Sequence, residues 1–316
     1  EKNKDNPLTQ DVVIIDEASM VDILLMDNLL KAISKKTSLI FVGDCNQLPS
    51  VSPGKVLKDL MDKRYCPVYE LKKIQRQAAD SSIVRAAHAV YEGQKIHFSY
   101  KKDDLYFIEI DDPEEIAEFI KLAVEDGRYG QIETIQVLSP TKKGPVGTER
   151  LNEMLKKVCR EKNLKVLRER GFIREGEKEH IPADPHKKFA IGDKVIQLEN
   201  NYEKDVFNGE IGYIIAINEK DGIIKILFDN KEVIYHDYDM DQIGLAYALT
   251  VHKFQGSEAE CVIMPVTTSQ YMMLFRNLFY TAITRAKKRL CLVGTHKALN
   301  IAIKNNRQVI RYSDFV

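Results

Sequence analysis

The sequence has no run approaching the roughly 18 uninterrupted apolar residues of a membrane span, and no charged-then-apolar signal segment opens it. Both absences argue against an anchored or secreted protein and for a cytoplasmic one. The five cysteines, Cys45, Cys66, Cys159, Cys261 and Cys291, form no C-x-x-C pair and have no histidine at zinc-ligand spacing. They read as reduced thiols. Net charge is absent too: 47 Lys plus Arg balance 47 Asp plus Glu, so any surface for a polyanion must be local. No internal repeat or low-complexity tract is found. The first residue is Glu1 rather than Met, and an apolar strand follows almost at once. That abruptness gives the expectation of a chain whose N-terminal part has been removed.

What is present is a globular balance of 44% apolar and 30% charged residues over 316 positions, enough for two or three domains with a substantial core. Val12-Val13-Ile14-Ile15 is a continuous β-branched run ending in Asp16-Glu17, and Leu39-Ile40-Phe41-Val42 is a second, ending in Gly43-Asp44. Such runs suit strands buried on both faces of a parallel sheet. Apolar residues at helical spacing from Val21 to Ile33 lie between them. The unit is βαβ, with both acidic tips at the strand ends where open α/β sheets place ligands. A second α/β domain begins near Tyr69, with helices over Ser82 to Tyr91 and Ile116 to Val124 and a strand at Ile135 to Leu138. Lys156 to His186 is highly charged and poorly periodic, and is expected to be a helix end followed by a surface excursion. From Phe189 to Tyr238 short β-rich runs alternate with Gly192, Asn208-Gly209 and Asp221-Gly222, which are turn and hairpin signals. This predicts a small inserted β-barrel. Buried strands return at Cys261 to Met264 and Leu290 to Val293, with a helix from about Leu274 to Arg285 between them.

The chemistry-bearing residues follow this frame. An apolar strand ending in Asp16-Glu17-Ala18-Ser19 has the form of a Walker B segment, in which the Asp holds Mg²⁺; the adjacent Glu would polarise the attacking water. The bland alternative is an acidic strand end with Asp16 capping a helix. Gly43-Asp44-Cys45-Asn46-Gln47-Leu48-Pro49 puts the Gln47 amide beside the same sheet edge, either as a phosphate and water contact or as part of a polar turn closed by Pro49.

Together, residues 13 to 22 (VIIDEASMVD) and 41 to 51 (FVGDCNQLPSV) resemble helicase motifs II and III of the RecD/TraA branch of superfamily 1, the exodeoxyribonuclease V α-subunit-like proteins. Leu71 to Gln77 with Ser82-Ile83-Val84 resembles motif IV, which assigns Arg76 to the γ-phosphate; on its own it reads as a surface helix arginine. Leu138-Ser139-Pro140-Thr141-Lys142-Lys143-Gly144 resembles the segment that tracks the DNA backbone, where Pro140, Lys142 and Lys143 would meet phosphates. A solvated lysine pair is the alternative. Ala246 to Glu258 (AYALTVHKFQGSE) resembles motif V, which in the family joins the single-strand groove to the nucleotide site. This assigns Thr250, His252, Lys253 and Gln255 to DNA and Gly256 and Glu258 to nucleotide. Phe254 stands where the family more often has a small polar residue, leaving base stacking and simple packing both open. Leu278 to Lys287 (LFYTAITRAK) resembles motif VI, with Arg285 as arginine finger; a basic helix end is the alternative.

The resemblance spans about Leu8 to Thr295. It implies an α/β fold of P-loop NTPase (RecA-like) parallel-sheet motor domains with an inserted SH3-like β-barrel, matched by Phe189 to Val195, Asn200-Asn201-Tyr202 and Phe207 to Gly212. The expected domains are 1–68, the end of the first motor domain; 69–187 with 243–316, the second; and 188–242, the barrel. Implied cofactors are ATP and Mg²⁺, with Asp16 on the metal and Glu17, Gln47, Arg76 and Arg285 catalytic. The implied partner is single-stranded DNA, traversed 5′ to 3′ by a monomer, with other subunits of a recombination nuclease also admitted. No G-x-x-x-x-G-K-[ST] phosphate loop occurs, so the chain alone is expected to hydrolyse ATP poorly. Two other readings stand beside this one: a nucleic-acid-binding module without ATPase function, and another superfamily 1 motor such as a Pif1-like helicase or a relaxase-helicase. Retention of both arginines and both acids argues against the first.

Overall fold

A computed structural model describes residues 2–71, 81–98, 104–173 and 189–306. Arg76 and the core of the motif IV segment lie outside them. The chain opens with β1 (Val12–Ile15), α1 (Ile23–Ala32), β2 (Ser38–Phe41) and α2 (Val56–Asp62). β1 and β2 pair in parallel, Val12 opposite Ser38 through Ile15 opposite Phe41, which is the expected βαβ unit. α1 starts where the Asp22 carboxylate accepts the Leu25 amide at 2.7 Å, an N-cap that satisfies one of the helix's free donors. Ile15 and Phe41 pack with Met26 and Val56. Their neighbours on the opposite face do not match expectation: Val12 is 51% and Ile14 64% exposed, and Ile40 and Val42 are open as well. Burial on both faces fails because, among the described residues, the helices cover one side of this two-stranded sheet.

The second unit is built from α3 (Ser82–Tyr91), β3 (Leu105–Glu109), α4 (Pro113–Glu125), β4 (Ile135–Ser139) and α5 (Thr148–Glu169). α5 ends at Glu169, the helix end expected within the charged segment, whose residues 174–186 lie outside the described ones. Its buried residues change partner along the way. Leu151, Leu155 and Cys159 join the core of the parallel sheet, while Leu164 and Leu167 pack with Ile191, Ile215 and Leu227 of the β-rich segment. Serving two cores spreads the apolar positions around the helix, which hides the period.

The β-rich segment forms β5 (Lys194–Gln197), β6 (Ile211–Asn218), β7 (Ile223–Phe228), β8 (Lys231–His236) and β9 (Ile243–Leu245), an antiparallel sheet in the order β8-β7-β6-β5-β9. Along β6 alternate side chains face two cores, Ile214 the small core and Ile215 α5, and the strand carries a bulge between Ile214 and Ala216. Such bulges re-aim side chains at the cost of one ladder pairing. Gly192, with φ 85°, lies so close to α5 that a Cβ there would stand 2.7 Å from Leu164 Cγ. Polar bonds also join this unit to the motor sheet: Tyr247 donates to Asp193 at 3.1 Å, and the buried Lys194 ammonium to Gln136 at 3.1 Å.

The chain then returns through β10 (Ala248–Thr250), β11 (Ala259–Val266), α6 (Arg276–Ile283), β12 (Ala286–Gly294) and α7 (His296–Lys304). The five strands lie parallel in the order β10-β4-β11-β12-β3. Along β11 the side chains alternate, Val262 and Met264 into the core with α3, α6 and α7, Cys261 and Ile263 into the core with α4 and α5. Here both faces are covered, as a parallel sheet requires. None of the helices is long and apolar enough to cross a membrane among the described residues.

Candidate nucleotide and nucleic-acid site

The acidic tip of β1 is held in an uncommon backbone shape. Glu17 has φ 48°, the left-handed region that non-glycine residues seldom occupy outside functional turns. Asp16 Oδ1 accepts the Glu17 amide at 2.8 Å, and the next amide, Ala18, donates to Val42 O at 2.8 Å across to β2. The tips approach so closely that a Cβ on Gly43 would stand 2.9 Å from Ala18 N, so only glycine fits. Asp16 is exposed and Glu17 half-buried, which leaves the Asp16 carboxylate open to solvent at the sheet edge. It does not cap a helix.

Just beyond, the Asp44 carboxylate folds the loop by accepting the Asn46 amide and side chain at 2.9 and 3.0 Å. The next two residues, Gln47 and Leu48, reach into the second unit. Leu48 is 2% exposed and belongs to the core built by α3, α6 and β11. Its amide donates to Thr281 Oγ1 at 2.8 Å, and its carbonyl accepts Gln255 Nε2 at 2.6 Å. Gln47 O accepts the Asn277 amide at 3.4 Å. The Tyr280 hydroxyl bonds Asp44, and burial together with that carboxylate pushes its ionisation well above the ordinary tyrosine range. Gln47 itself is 8% exposed, and its Oε1 is buried without a hydrogen-bond partner.

Arg285 sits one turn past Thr281 and is 1% exposed. Its guanidinium donates to Thr281 O at 3.2 Å, Ser257 O at 3.3 Å and Thr284 Oγ1 at 3.3 Å. Glu258 pairs with Lys287 at 3.1 Å. Gly256 takes φ 81° with nothing near its Cβ position, a conformation that favours glycine.

The residues assigned to DNA lie on the tips of two adjacent strands. β10 pairs β4 with Thr250 opposite Ser139, so Pro140 to Lys143 and Val251 to Gln255 emerge side by side. Lys142, Lys143 and Lys253 are exposed, while Pro140 and Thr250 are buried. Thr250 Oγ1 accepts the Lys253 amide at 3.2 Å. His252 is half-buried, and desolvation alone lowers its pKa below 6.5. Gln255 spends its amide nitrogen on Leu48, so it bridges the two units. Phe254 is 3% exposed and packs in the core, which decides between the two roles open to it.

The structure sets Pro140, Lys142 and Lys143 beside Thr250, His252 and Lys253; Gln47 lies against α6, just beyond whose end Arg285 stands, and Asp16 and Glu17 stand at the tip of β1. Sequence reading assigned no role to Leu48, Asn277, Tyr280 or Thr281, which join the two groups. Gly147 was missed as well. A Cβ there would stand 2.5 Å from the carbonyls of Lys142 and Lys143, so the lysine loop rests directly on that glycine; its signal was the Gly144-Pro145-Val146-Gly147 spacing.

A helix-covered parallel sheet docked on an acid-tipped βαβ unit is an α/β arrangement that leaves its strand tips open for ligands. Three family models match in chain order: AAA domain over residues 3–110, ATP-dependent RecD-like DNA helicase SH3 domain over 151–228, and UvrD-like helicase C-terminal domain over 245–293. The ATP-dependent RecD2 DNA helicase of Deinococcus radiodurans is 33% identical over 302 residues, covering 96% of this chain and 39% of that protein. RecBCD enzyme subunit RecD of Buchnera aphidicola subsp. Schizaphis graminum is 28% identical, covering 96% and 57%. In fold, the chain is similar to a structure of Pif1 helicases addressing unwinding at forked double-stranded DNA, with TM-score 0.53, 20% identity and coverage of 92% and 70%. The chain is similar to RecD-type DNA helicases over 96% of its own length, and it spans between 39% and 57% of the length of these two curated relatives.

Proposed function

We propose that this chain is part of an ATP-dependent helicase that moves 5′ to 3′ on single-stranded DNA in recombination or repair. The observation that carries the reading is the interlock at Leu48. The loop bearing Gln47 is bonded on one side to α6, which leads to Arg285, and on the other to Gln255 of the DNA-facing segment. A change at the phosphate end of that loop is thereby transmitted to the strand tips that would hold DNA. A module that only bound nucleic acid has no need of this connection.

The residues fit a magnesium nucleotide. Among the described residues no group of three or more His, Cys, Asp or Glu forms a metal cage, and Mg²⁺ bound to phosphates needs only one or two carboxylates with waters completing its shell. ATP bound with Mg²⁺ supplies the γ-phosphoryl group and the charge that develops on its transfer. Asp16 would hold the cation, and Glu17 would orient and polarise the attacking water. The buried, unpartnered Gln47 Oε1 is an acceptor poised for that water. Arg285 and Arg76 would supply cations to the phosphate oxygens and to the charge that develops there. Lys142, Lys143 and Lys253 neutralise DNA phosphates. The proposed division is residues 1–68 for the first motor domain, 69–187 and 243–316 for the second, and 188–242 for the SH3-like barrel, whose sheet β9 completes. The chain itself has no G-x-x-x-x-G-K-[ST] loop, and it is expected to hydrolyse ATP poorly without one.

The test is ATP hydrolysis by the full-length protein, with and without single-stranded DNA, beside Glu17→Gln. Stimulation by DNA that disappears in the variant, with DNA affinity kept, is the expected result. No hydrolysis by the full-length protein, with salt-dependent DNA binding intact, would overturn the motor reading.

A further inference from the structure

Between β11 and α6 the chain makes a 3-10 turn, Thr268–Met273, at the same edge of the sheet from which the lysine loop emerges. Thr267, buried at 2% exposure, caps it by accepting the Ser269 amide at 3.3 Å. Gln270 is 4% exposed and reaches sideways to the exit of β4. Its Nε2 donates to Ser139 Oγ at 3.0 Å and to Thr141 Oγ1 at 2.9 Å. Ser139 Oγ in turn donates to Val146 O at 2.7 Å, closing the loop that carries Lys142 and Lys143. One side-chain amide therefore fastens the turn to both flanks of Pro140. On the far side, Leu274 is buried at 2% and Met273 packs against the core. The turn is anchored at both ends.

Between these anchors two large apolar side chains stand in solvent: Tyr271 is 56% and Met272 83% exposed. They follow Gln270 directly, as Lys142 follows Thr141, so the apolar pair and the lysine pair flank a single hydrogen-bonded contact. Aromatic faces beside cations are the composition that holds single strands, bases stacking while phosphates are neutralised. The Gln270 Oε1 is buried without a partner.

Resting on the reading of this edge as a single-strand groove, we propose that the Gln270–Met272 turn is its base-contacting wall. Tyr271 stacks on a base and Met272 packs beside it, without sequence preference. Gln270 is a positioning residue that sets the lysine loop against this platform. Nothing in the sequence pattern marks these residues, because the two segments are about 130 residues apart.

The test is binding of a labelled oligothymidylate to the full-length protein over a range of salt. Tyr271→Ala should weaken binding about 5- to 150-fold with the salt slope unchanged, and Tyr271→Phe should bind as the wild type. Lys142→Ala should weaken binding and lower the slope of log K against log salt by about 0.7 per lost contact. Gln270→Leu should weaken binding, and by much less when Lys142 is already alanine, a non-additivity that a general loss of folding would not produce. If Lys142→Ala weakens binding while Tyr271→Ala and Met272→Ala stay within twofold of wild type, the platform is refuted and the groove stands. If no variant, including Lys142→Ala with Lys143→Ala, alters binding, the groove reading itself fails and the platform with it.

Discussion

Replacing Leu48 with alanine removes the side chain that plugs the acid-bearing unit into the motor core. Leu48 is 2% exposed, so its transfer from water alone contributes about 1.5 to 3 kcal/mol. The void left among Leu278, Phe279 and their neighbours raises the expected loss to about 2 to 5 kcal/mol. The backbone bonds from Leu48 to Thr281 and Gln255 survive the substitution, so the loop should remain near α6 but lose its fixed depth. Gln47, the preceding residue, would then be misplaced. In the full-length protein this predicts an earlier denaturant midpoint, faster hydrogen exchange over Gly43 to Ser50, and weaker stimulation of ATP hydrolysis by DNA. Thr281→Val supplies an independent arm. It strands the buried Leu48 amide, at about 1 to 3 kcal/mol, without touching the apolar plug. Because the two sites share one contact, the double variant should lose less than the sum. A Leu48→Ala protein within about 0.5 kcal/mol of wild type, with unchanged exchange over the loop, would refute the interlock.

Arg285→Ala should lower the DNA-stimulated rate by about 10³ to 10⁵ with modest change in DNA affinity, measured by steady-state hydrolysis and binding. Lys194 is buried, and desolvation pushes its pKa down to about 8 from 10.5. Between those values the unfolded chain holds a proton the folded one has released, so stability rises with pH across that window, by about 3 kcal/mol in all. Lys194→Met should lack that rise, read from denaturant midpoints between pH 7.5 and 10.5. His252 behaves likewise at lower pH. Its depressed pKa means the unfolded chain takes up the proton first as pH falls below 6.5, so stability declines there. Thermal melts of His252→Asn should show a shallower decline.

Much of the architecture was legible in the sequence, because it rests on local rules. α3 covers Ser82–Tyr91 and β7 covers Ile223–Phe228, as helical spacing and an Asp-Gly turn predict. The two acidic strand tips, the barrel and the return of the parallel strands follow from the same periods and turns. Resemblance added the roles of Asp16, Gln47, Lys142 and Arg285; Asp16, Gln47 and Lys142 follow the C-terminal ends of β1, β2 and β4, whereas Arg285 stands just before β12, at the opposite edge of its parallel sheet. What local pattern could not reach are contacts between distant segments. Leu48 looks like part of a polar turn until α6, over two hundred residues later, supplies the core it enters. Gln255 reads as a DNA contact, but tertiary packing directs its amide to Leu48. α5 conceals its periodicity because its two halves face different cores. The sequence by itself determined which segments are strands, helices and turns, since backbone sterics and hydrophobic period act within a few residues. Only the tertiary structure decided which polar groups stay open for ligands and which are used to join the units, because that choice depends on what each group meets across the fold.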